Sequence, residues 1–390
     1  MTAVSSSSLP LTEKTASMKM SKTLTLPHLP LDVVSEILCR LSVKQLLQLC
    51  CVCKSWNSLI SLDYSFARKQ LMLSTPNKDR HHLIQSSIKS YHEFLLIHSP
   101  ISSFFTIDPI VTVNQLRHTL KMLIDNRGSV VQISTCDGIL CFVITGSRAV
   151  LYNPFTRKSK ILPPLNASKL RNFQNLFTLV YDRITRNYKI IAVTFGNSKH
   201  QVNIHTLGTH HWRRVQDFPC SCLHCTPGIF VNDTLNWLAY DHNLPEVIVS
   251  LDLEKESYQK LSPPLYDDDD TGFERSVDLG TLRGCLSILS YRYKFSNVWI
   301  MKEYGNEKSW TKLFSVPHPE QGIGSFYFYK NVLYVSEDNQ LLMEFYNNGE
   351  HGLVVYDSTN NTFSNPKMQN NVNDHKVAPH FYVESLISPF

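Results

Sequence analysis

Val298-Trp299-Ile300-Met301-Lys302 is followed, after a polar turn, by Trp310-Thr311-Lys312-Leu313. An apolar strand, a turn and a return strand opened by a ring make up this phrase, and it recurs. Val202-Asn203-Ile204-His205-Thr206 precedes Trp212-Arg213-Arg214-Val215. Ile248-Val249-Ser250-Leu251-Asp252 precedes Tyr258-Gln259-Lys260-Leu261, and Leu353-Val354-Val355-Tyr356-Asp357 precedes Phe363-Ser364-Asn365-Pro366. An earlier copy, Val150-Leu151-Tyr152-Asn153-Pro154, leads to Lys160-Ile161-Leu162-Pro163. The rings Trp212, Tyr258, Trp310 and Phe363 are spaced by 46, 52 and 53 residues, and Lys160 lies 52 before Trp212. A further strand pair precedes each unit, as in Gly228-Ile229-Phe230-Val231-Asn232 then Leu235-Asn236-Trp237-Leu238. Four strands in about 50 residues mark a β-propeller blade at the long end of the kelch range. The chain has no Gly-Gly pair and no Trp-Asp dipeptide, so the blades diverge from the common kelch and WD40 patterns. Five units are visible. A sixth is expected from residues 94–108, completed by 381–387, because closing the ring leaves no free sheet edge.

Upstream of the strands the periodicity is helical. Pro30 and Asp32 suit a first helical turn, and Val33, Val34, Ile37, Leu38 and Leu41 follow at helical spacing. Ser42 with Gln45 is a capping-box signature for a second helix carrying Val43, Leu46, Leu47 and Cys50. Cys53 to Leu62 reads as a third helix with Trp56, Leu59 and Ile60 on one face. Residues 1–25 are rich in Ser, Thr and Lys and read as a disordered leader. The expected organisation is a leader at 1–25, a helical unit at 26–70, a polar linker at 71–93 and a propeller at 94–390. The fold class is mainly β with a small α N-terminal domain.

Leu29-Pro30-Leu31-Asp32-Val33-Val34-Ser35-Glu36-Ile37-Leu38-Cys39-Arg40-Leu41, with Val52-Cys53-Lys54-Ser55-Trp56 downstream, resembles an F-box. Ser42 stands where that family usually has proline, and it too can start a helix. The remainder is similar to the F-box-associated domain of plant F-box/kelch-type proteins. The matching stretches include Leu151-Tyr152-Asn153-Pro154-Phe155-Thr156-Arg157, Asn232-Asp233-Thr234-Leu235-Asn236-Trp237 and Leu279-Gly280-Thr281-Leu282-Arg283-Gly284-Cys285-Leu286. The resemblance implies a helical F-box followed by a divergent kelch-like propeller of about six blades. It implies the non-catalytic substrate receptor of an SCF-type E3 ubiquitin ligase, with target degradation as the outcome. A non-degradative F-box scaffold is the alternative. The F-box would dock a Skp-type adaptor, and through it a cullin and a RING subunit. The adaptor contacts implied are Leu29, Pro30, Val34, Ile37, Leu38, Leu41, Val43, Leu46, Val52, Cys53, Lys54 and Trp56. A helical unit of about 40 residues also sits at the size limit for self-stabilisation, so its dense apolar residues need cover, either from another chain or from the propeller that the helices would then merely cap.

Composition narrows the remaining classes. With 390 residues, 43% hydrophobic and 18% charged, the chain has a globular balance. Ten cysteines are too sparse for a disulfide scaffold. Apolar runs such as Ile139 to Ile144 are far too short to span a membrane, and no secretory h-region is present. A net charge of +5 makes no case for nucleic acid or membrane. The expectation is a reduced protein of the cytoplasm, the nucleus or both. No phosphate-binding loop, dinucleotide fingerprint, zinc-protease or nucleophile-elbow motif occurs. Cys220, Cys222, His224 and Cys225, with His210 and His211 upstream, have metal-ligand chemistry, but one compact loop would supply nearly everything. The reading is therefore no metal and no cofactor. Cys50, Cys51 and Cys53 read as small packing residues in the helices. Trp237, Trp299 and Trp310 read as propeller core. Recognition of a target falls to loops: the 166–177 and 266–275 connections are the candidates, with Arg171, Phe173, Phe177, Tyr266 and Asp268 named and Phe155 considered. The run 267–270 of four aspartates would steer a basic partner.

Overall fold

A computed structural model describes residues 29–90, 93–106, 110–111, 130–144, 148–165, 175–196, 199–220, 222–223, 226–240, 246–266, 277–292, 294–318, 327–347, 350–368 and 375–390. Four helices come first: α1 (Leu31–Leu38), α2 (Val43–Leu49), α3 (Lys54–Leu62) and α4 (Tyr64–Ser74). The Ser42 capping box has both arms, Gln45 N donating to Ser42 Oγ at 3.2 Å and Ser42 N to Gln45 Oε1 at 3.0 Å. Asp63 caps α4 by accepting from the Ser65 and Phe66 amides at 2.8 and 3.1 Å.

Six antiparallel sheets follow, and they are the blades of a propeller. Blade 2 runs Val130–Cys136, Ile139–Ile144, Arg148–Tyr152 and Ser159–Ile161. Blade 3 runs Asn175–Asp182, Asn187–Thr194, Gln201–Thr206 and Arg213–Arg214. Blade 4 has an interrupted first strand, Cys222–Leu223 then Ile229–Val231, both paired to Thr234–Tyr240, followed by Val247–Asp252 and Ser257–Leu261. Blade 5 spans Val277–Leu282, Cys285–Tyr291, Phe295–Met301 and Trp310–Pro317, and blade 6 spans Tyr327–Val335, Gln340–Asn347, Glu350–Asp357 and Thr362–Ser364. All five repeated strand pairs seen in the sequence are hairpins here.

Blade 1 closes the ring, and here two expectations are corrected. His81–Ser90 lies between Glu93–Pro100 and the C-terminal strand His375–Val383, with His81 opposite Val383 and Leu83 opposite Phe381. The supposed linker 71–93 therefore holds the end of α4 and the middle strand of this sheet. Pairing on both sides satisfies the backbone of this polar strand, and among its described side chains Leu83 and Ile84 enter the hydrophobic core. The closing strand also ends at Val383, and Glu384 to Ile387 continue as a non-strand segment.

One turn device recurs. Asn153, Asp182, Asp252 and Asp357 each accept, through Oδ1, the amides two and three residues on, at 2.9–3.3 Å. The fourth residue on is then left-handed: Arg157, Arg186, Glu256 and Asn361, with φ of 51–58°. A short side chain thus replaces a backbone acceptor and turns the strand.

The repeated rings serve as ties between blades. Trp212 Nε1 donates to Pro163 O at 2.9 Å, Tyr258 Oη to Gln216 O at 3.0 Å and Trp310 Nε1 to Ser262 O at 3.0 Å. Each acceptor lies just past the last strand of the preceding blade. Trp237 and Trp299 are core, as expected, whereas Trp310 is only half-buried. Gly228 is required where blade 4's first strand breaks: a Cβ there would sit 2.7 Å from the Trp237 ring.

The strands nearest the axis are joined differently on the two sides of the ring. Across blades 1 to 4, short polar side chains bond neighbouring backbones. Thr135 Oγ1 donates to Phe381 O at 3.1 Å, Gln132 bridges Phe177 N and O at 3.1 Å, and Thr178 Oγ1 accepts from Gly228 N at 2.9 Å. Across blades 5, 6 and 1, the charged or titratable Asp278, Lys330, Glu344 and His380 are brought together. Burial pushes the Asp278 carboxyl up to about 6, with Lys330 opposing and Glu344 adding. Burial pushes His380 down to about 4, with Lys330 adding.

Candidate interaction surfaces

The helical unit shares one hydrophobic core with the propeller. Leu38, Val43, Leu46, Ile60, Phe66 and Leu71 pack in a cluster with Ile139, Leu151, Phe177, Ile190 and Ile387. Leu38, Val43 and Leu46 are at most 2% exposed, so these three expected adaptor contacts are structural instead. Their stripe faces blades 2 and 3. Each such burial stabilises the seat by roughly 1.5–3 kcal/mol.

The outward stripe is a different set. Leu29, Leu31, Val33, Ile37, Leu47 and Val52 are exposed, as are Leu62, Tyr64, Met72 and Leu73 further along. Of the remaining expected contacts, Pro30, Cys53 and Lys54 are exposed, and Val34, Leu41 and Trp56 are half-buried against the cluster. Leu31, Val33 and Leu47 were not among the expected adaptor contacts, although Val33 and Leu47 were read as apolar helix positions. The exposed residues of α4 were missed because Asp63 was not read as a cap. Cys51 and Cys53 are exposed and Cys50 half-buried, so the first two are not packing residues.

Polar contacts fix the seat. Arg68 pairs with Asp137, lies 3.8 Å from the Tyr181 ring centroid, and is 3.3 Å from the Tyr188 hydroxyl, which donates to Asp137 Oδ2 at 2.9 Å. Burial, then the Asp137 charge, raises the Tyr188 pKa and keeps that hydroxyl protonated as the donor. Lys158 Nζ reaches Ser61 O at 3.5 Å.

Asp137 and Lys158 lie in turns joining first to second and third to fourth strands of blade 2. Because every blade is antiparallel, all such turns emerge on one face, and the helices sit there. The second-to-third connections and the connections between blades emerge on the opposite face. Strand ends at Ile161, Asn175, Leu261 and Val277 bracket the two connections expected to recognise a target, and all four lie on that far face.

The named target residues fare unevenly. Phe177 is buried inside the strand Asn175–Asp182, edge-on to Trp212 at 5.7 Å, so it is core and not a loop contact. Its place in the Leu-Phe-Thr-Leu-Val run explains this. Tyr266 is half-buried against Trp299, with ring centroids 6.2 Å apart. Phe155 packs among His82, His98 and Tyr382 and presents no free ring. Arg171, Phe173, Asp268 and the aspartate run 267–270 lie outside the described residues.

The cysteine-histidine cluster lies only partly within the described residues. Cys220 is buried in the core between blades 3 and 4, while His210 and His211 lie in a turn on the helical side of blade 3. His224 and Cys225 lie outside the described residues, among which no three metal-ligating side chains are grouped. A pocket between blades 3 and 4 is lined by Asp182, Ile184, Phe230, Asp233, Asp252 and Glu254. Burial opposes ionisation of Asp182, but Lys189 Nζ at 2.6 Å, the Thr185 hydroxyl and two amides hold its pKa at about 2. Arg183 and Lys255 approach Asp233 and Asp252 at 3.8 and 3.6 Å.

Uncovered apolar helices on one face of a closed ring, with the long connections on the other, make this an F-box protein built on a propeller. Comparison with known families agrees in both parts. Residues 26–68 match the F-box domain and residues 92–389 the F-box associated beta propeller domain, so the chain belongs to that family. An F-box/kelch-repeat protein of Arabidopsis thaliana is 31% identical over 384 residues, covering 93% of this chain and 96% of the relative. The F-box protein CPR1 of the same plant is 24% identical over 357 residues, covering 82% and 80%. Proteins of these two families are typically non-catalytic adaptors.

Proposed function

We propose that this chain is the substrate-recognition subunit of an SCF-type E3 ubiquitin ligase. The F-box takes a Skp-type adaptor, which links it to a cullin and a RING subunit, and the propeller takes a protein target. The observation that carries this reading is the exposed apolar stripe Leu29, Leu31, Val33, Ile37 and Val52. It belongs to the one part of the chain too small to seal itself, and a partner helix or groove of matching shape would cover it. The target is recruited on the far face, opposite the one that carries the F-box. Catalysis is by proximity: a held target meets a charged ubiquitin-conjugating enzyme at high effective concentration. The protein works in the cytoplasm, the nucleus or both, and the consequence for the target is degradation.

Co-expression with a Skp-type adaptor tests the first step. A one-to-one complex is expected from the full chain. It should be lost when residues 26–66 are deleted and strongly weakened by Leu29→Ala with Pro30→Ala. Adaptor capture undiminished by the deletion would end the proposal. Far-face recruitment is tested by affinity purification with the proteasome and neddylation blocked. Shortening the 166–174 and 267–276 connections to Gly-Ser turns should abolish target capture and spare adaptor capture.

A further inference from the structure

The segment after the closing strand does two things at once. Glu384 is 5% exposed in its side chain and pairs with Arg80, itself 12% exposed. The same carboxylate oxygen accepts from Val43 N, the first amide of α2, at 3.2 Å. Arg80 Nη2 donates to Arg40 O at 3.0 Å, at the corner between α1 and α2, and Glu384 N donates to Arg80 O at 3.0 Å. Three elements thus meet at one ion pair: the F-box corner, the entry to the first strand and the exit of the last. His82 Nε2 stands 4.0 Å from the other carboxylate oxygen, but burial pushes its pKa down to about 3, so it faces Glu384 uncharged.

The next residues clamp the other side. Asn153 Nδ2 donates to Ser385 O at 2.9 Å and Ile387 O at 2.8 Å, and Ser385 Oγ donates to Asp137 O at 2.6 Å. Leu386 and Ile387 enter the cluster that contains Leu38, Val43 and Leu46. A Cβ on Gly138 would meet Ser385 Oγ at 2.5 Å, so the chain passes close against blade 2. A buried charge pair is poor evidence of added stability, since desolvation offsets much of its attraction, but its geometry is demanding. Removing one partner leaves the other buried and uncompensated. Such a pair specifies an orientation.

We propose that Glu384 and Arg80 are positioning residues that set the angle of the F-box on the propeller, so that ring closure and F-box seating are one event. This rests on the receptor reading for its purpose: the angle fixes how far the target face stands from the adaptor. Its physical content does not need that reading and is tested without adaptor or target.

Hydrogen exchange on the full chain is the test. Glu384→Ala and Arg80→Ala should each speed exchange of α1 and α2 amides at least tenfold, while the strands of blades 4 and 5 keep their protection. Glu384→Gln keeps the volume and the acceptor for Val43 N and should give an intermediate acceleration, which guards against a variant that fails to fold. In a reconstituted ligase, Glu384→Gln should bind adaptor as wild type does and modify a broader set of the propeller's own lysines. Unchanged α1 and α2 exchange in both alanine variants would overturn the proposal. So would equal acceleration in all six blades, which would make the pair a support of the whole fold and not of one angle.

Discussion

The F-box and the propeller treat apolar surface in opposite ways. Among the described residues, sixteen large hydrophobic side chains are exposed, and ten of them fall between Leu29 and Leu73. Past Leu73, a stretch several times longer, six more are exposed among the described residues. A propeller buries each sheet face against the next blade and pairs its first strand with its last, so it finishes its own surface. Four short helices cannot do the same. They bury one stripe on blades 2 and 3 and leave the other uncovered. The stripes differ by only a residue or two in sequence, as with buried Leu46 beside exposed Leu47.

That contrast can be broken most severely from the buried side. Leu46→Ala empties a site shared by helices and blades, and should cost about 2–5 kcal/mol in denaturant unfolding. A loss under 1 kcal/mol would mean the two parts do not share a core. Next comes the charged half of the ring. The folded Asp278 pKa lies above its ordinary value, so the folded state loses stability as pH climbs from about 4 to about 6. Asp278→Asn should therefore raise the melting temperature at pH 7 and leave it nearly unchanged at pH 4. An equal shift at both pH values would refute the assignment.

A smaller effect tests the blade ties. Trp212→Phe keeps most of the packing but loses the bond to Pro163 O, for an expected cost near 1 kcal/mol. The Trp310→Phe change should behave alike through Ser262 O, and additivity in the double variant would show that the two ties act independently. The smallest stability effect belongs to the exposed stripe. Ile37→Ala should change unfolding by no more than about 0.5 kcal/mol while reducing adaptor capture at least tenfold. Chemical denaturation beside a pull-down on the same preparation would read both. A large stability loss with unchanged capture would reverse the roles given to the two stripes.

Much of this architecture was legible in local sequence. The strand pairs from Val150 to Phe363 were, because each phrase carries its own turn chemistry and apolar alternation. The Ser42 capping box was, because its two partners are three residues apart. His81–Ser90 was not, since its polar residues are tolerated only by strands that arrive from residues 93–100 and 375–383. Phe177 looked like a loop residue because the start of its strand follows a long polar connection, although the Leu-Phe-Thr-Leu-Val run it sits in already carries a strand signal.

The sequence by itself determined the class of protein: a helical F-box, a period of about fifty residues, and a ring that must close. Periodicity, caps and Asx turns are local, and local physics reads them. Tertiary structure alone decided which side of each F-box helix faces outward, which face of the ring the helices take, and that Glu384 meets Val43 and Arg80. Those facts depend on contacts between residues up to 341 positions apart, and no local pattern encodes a partner at that distance.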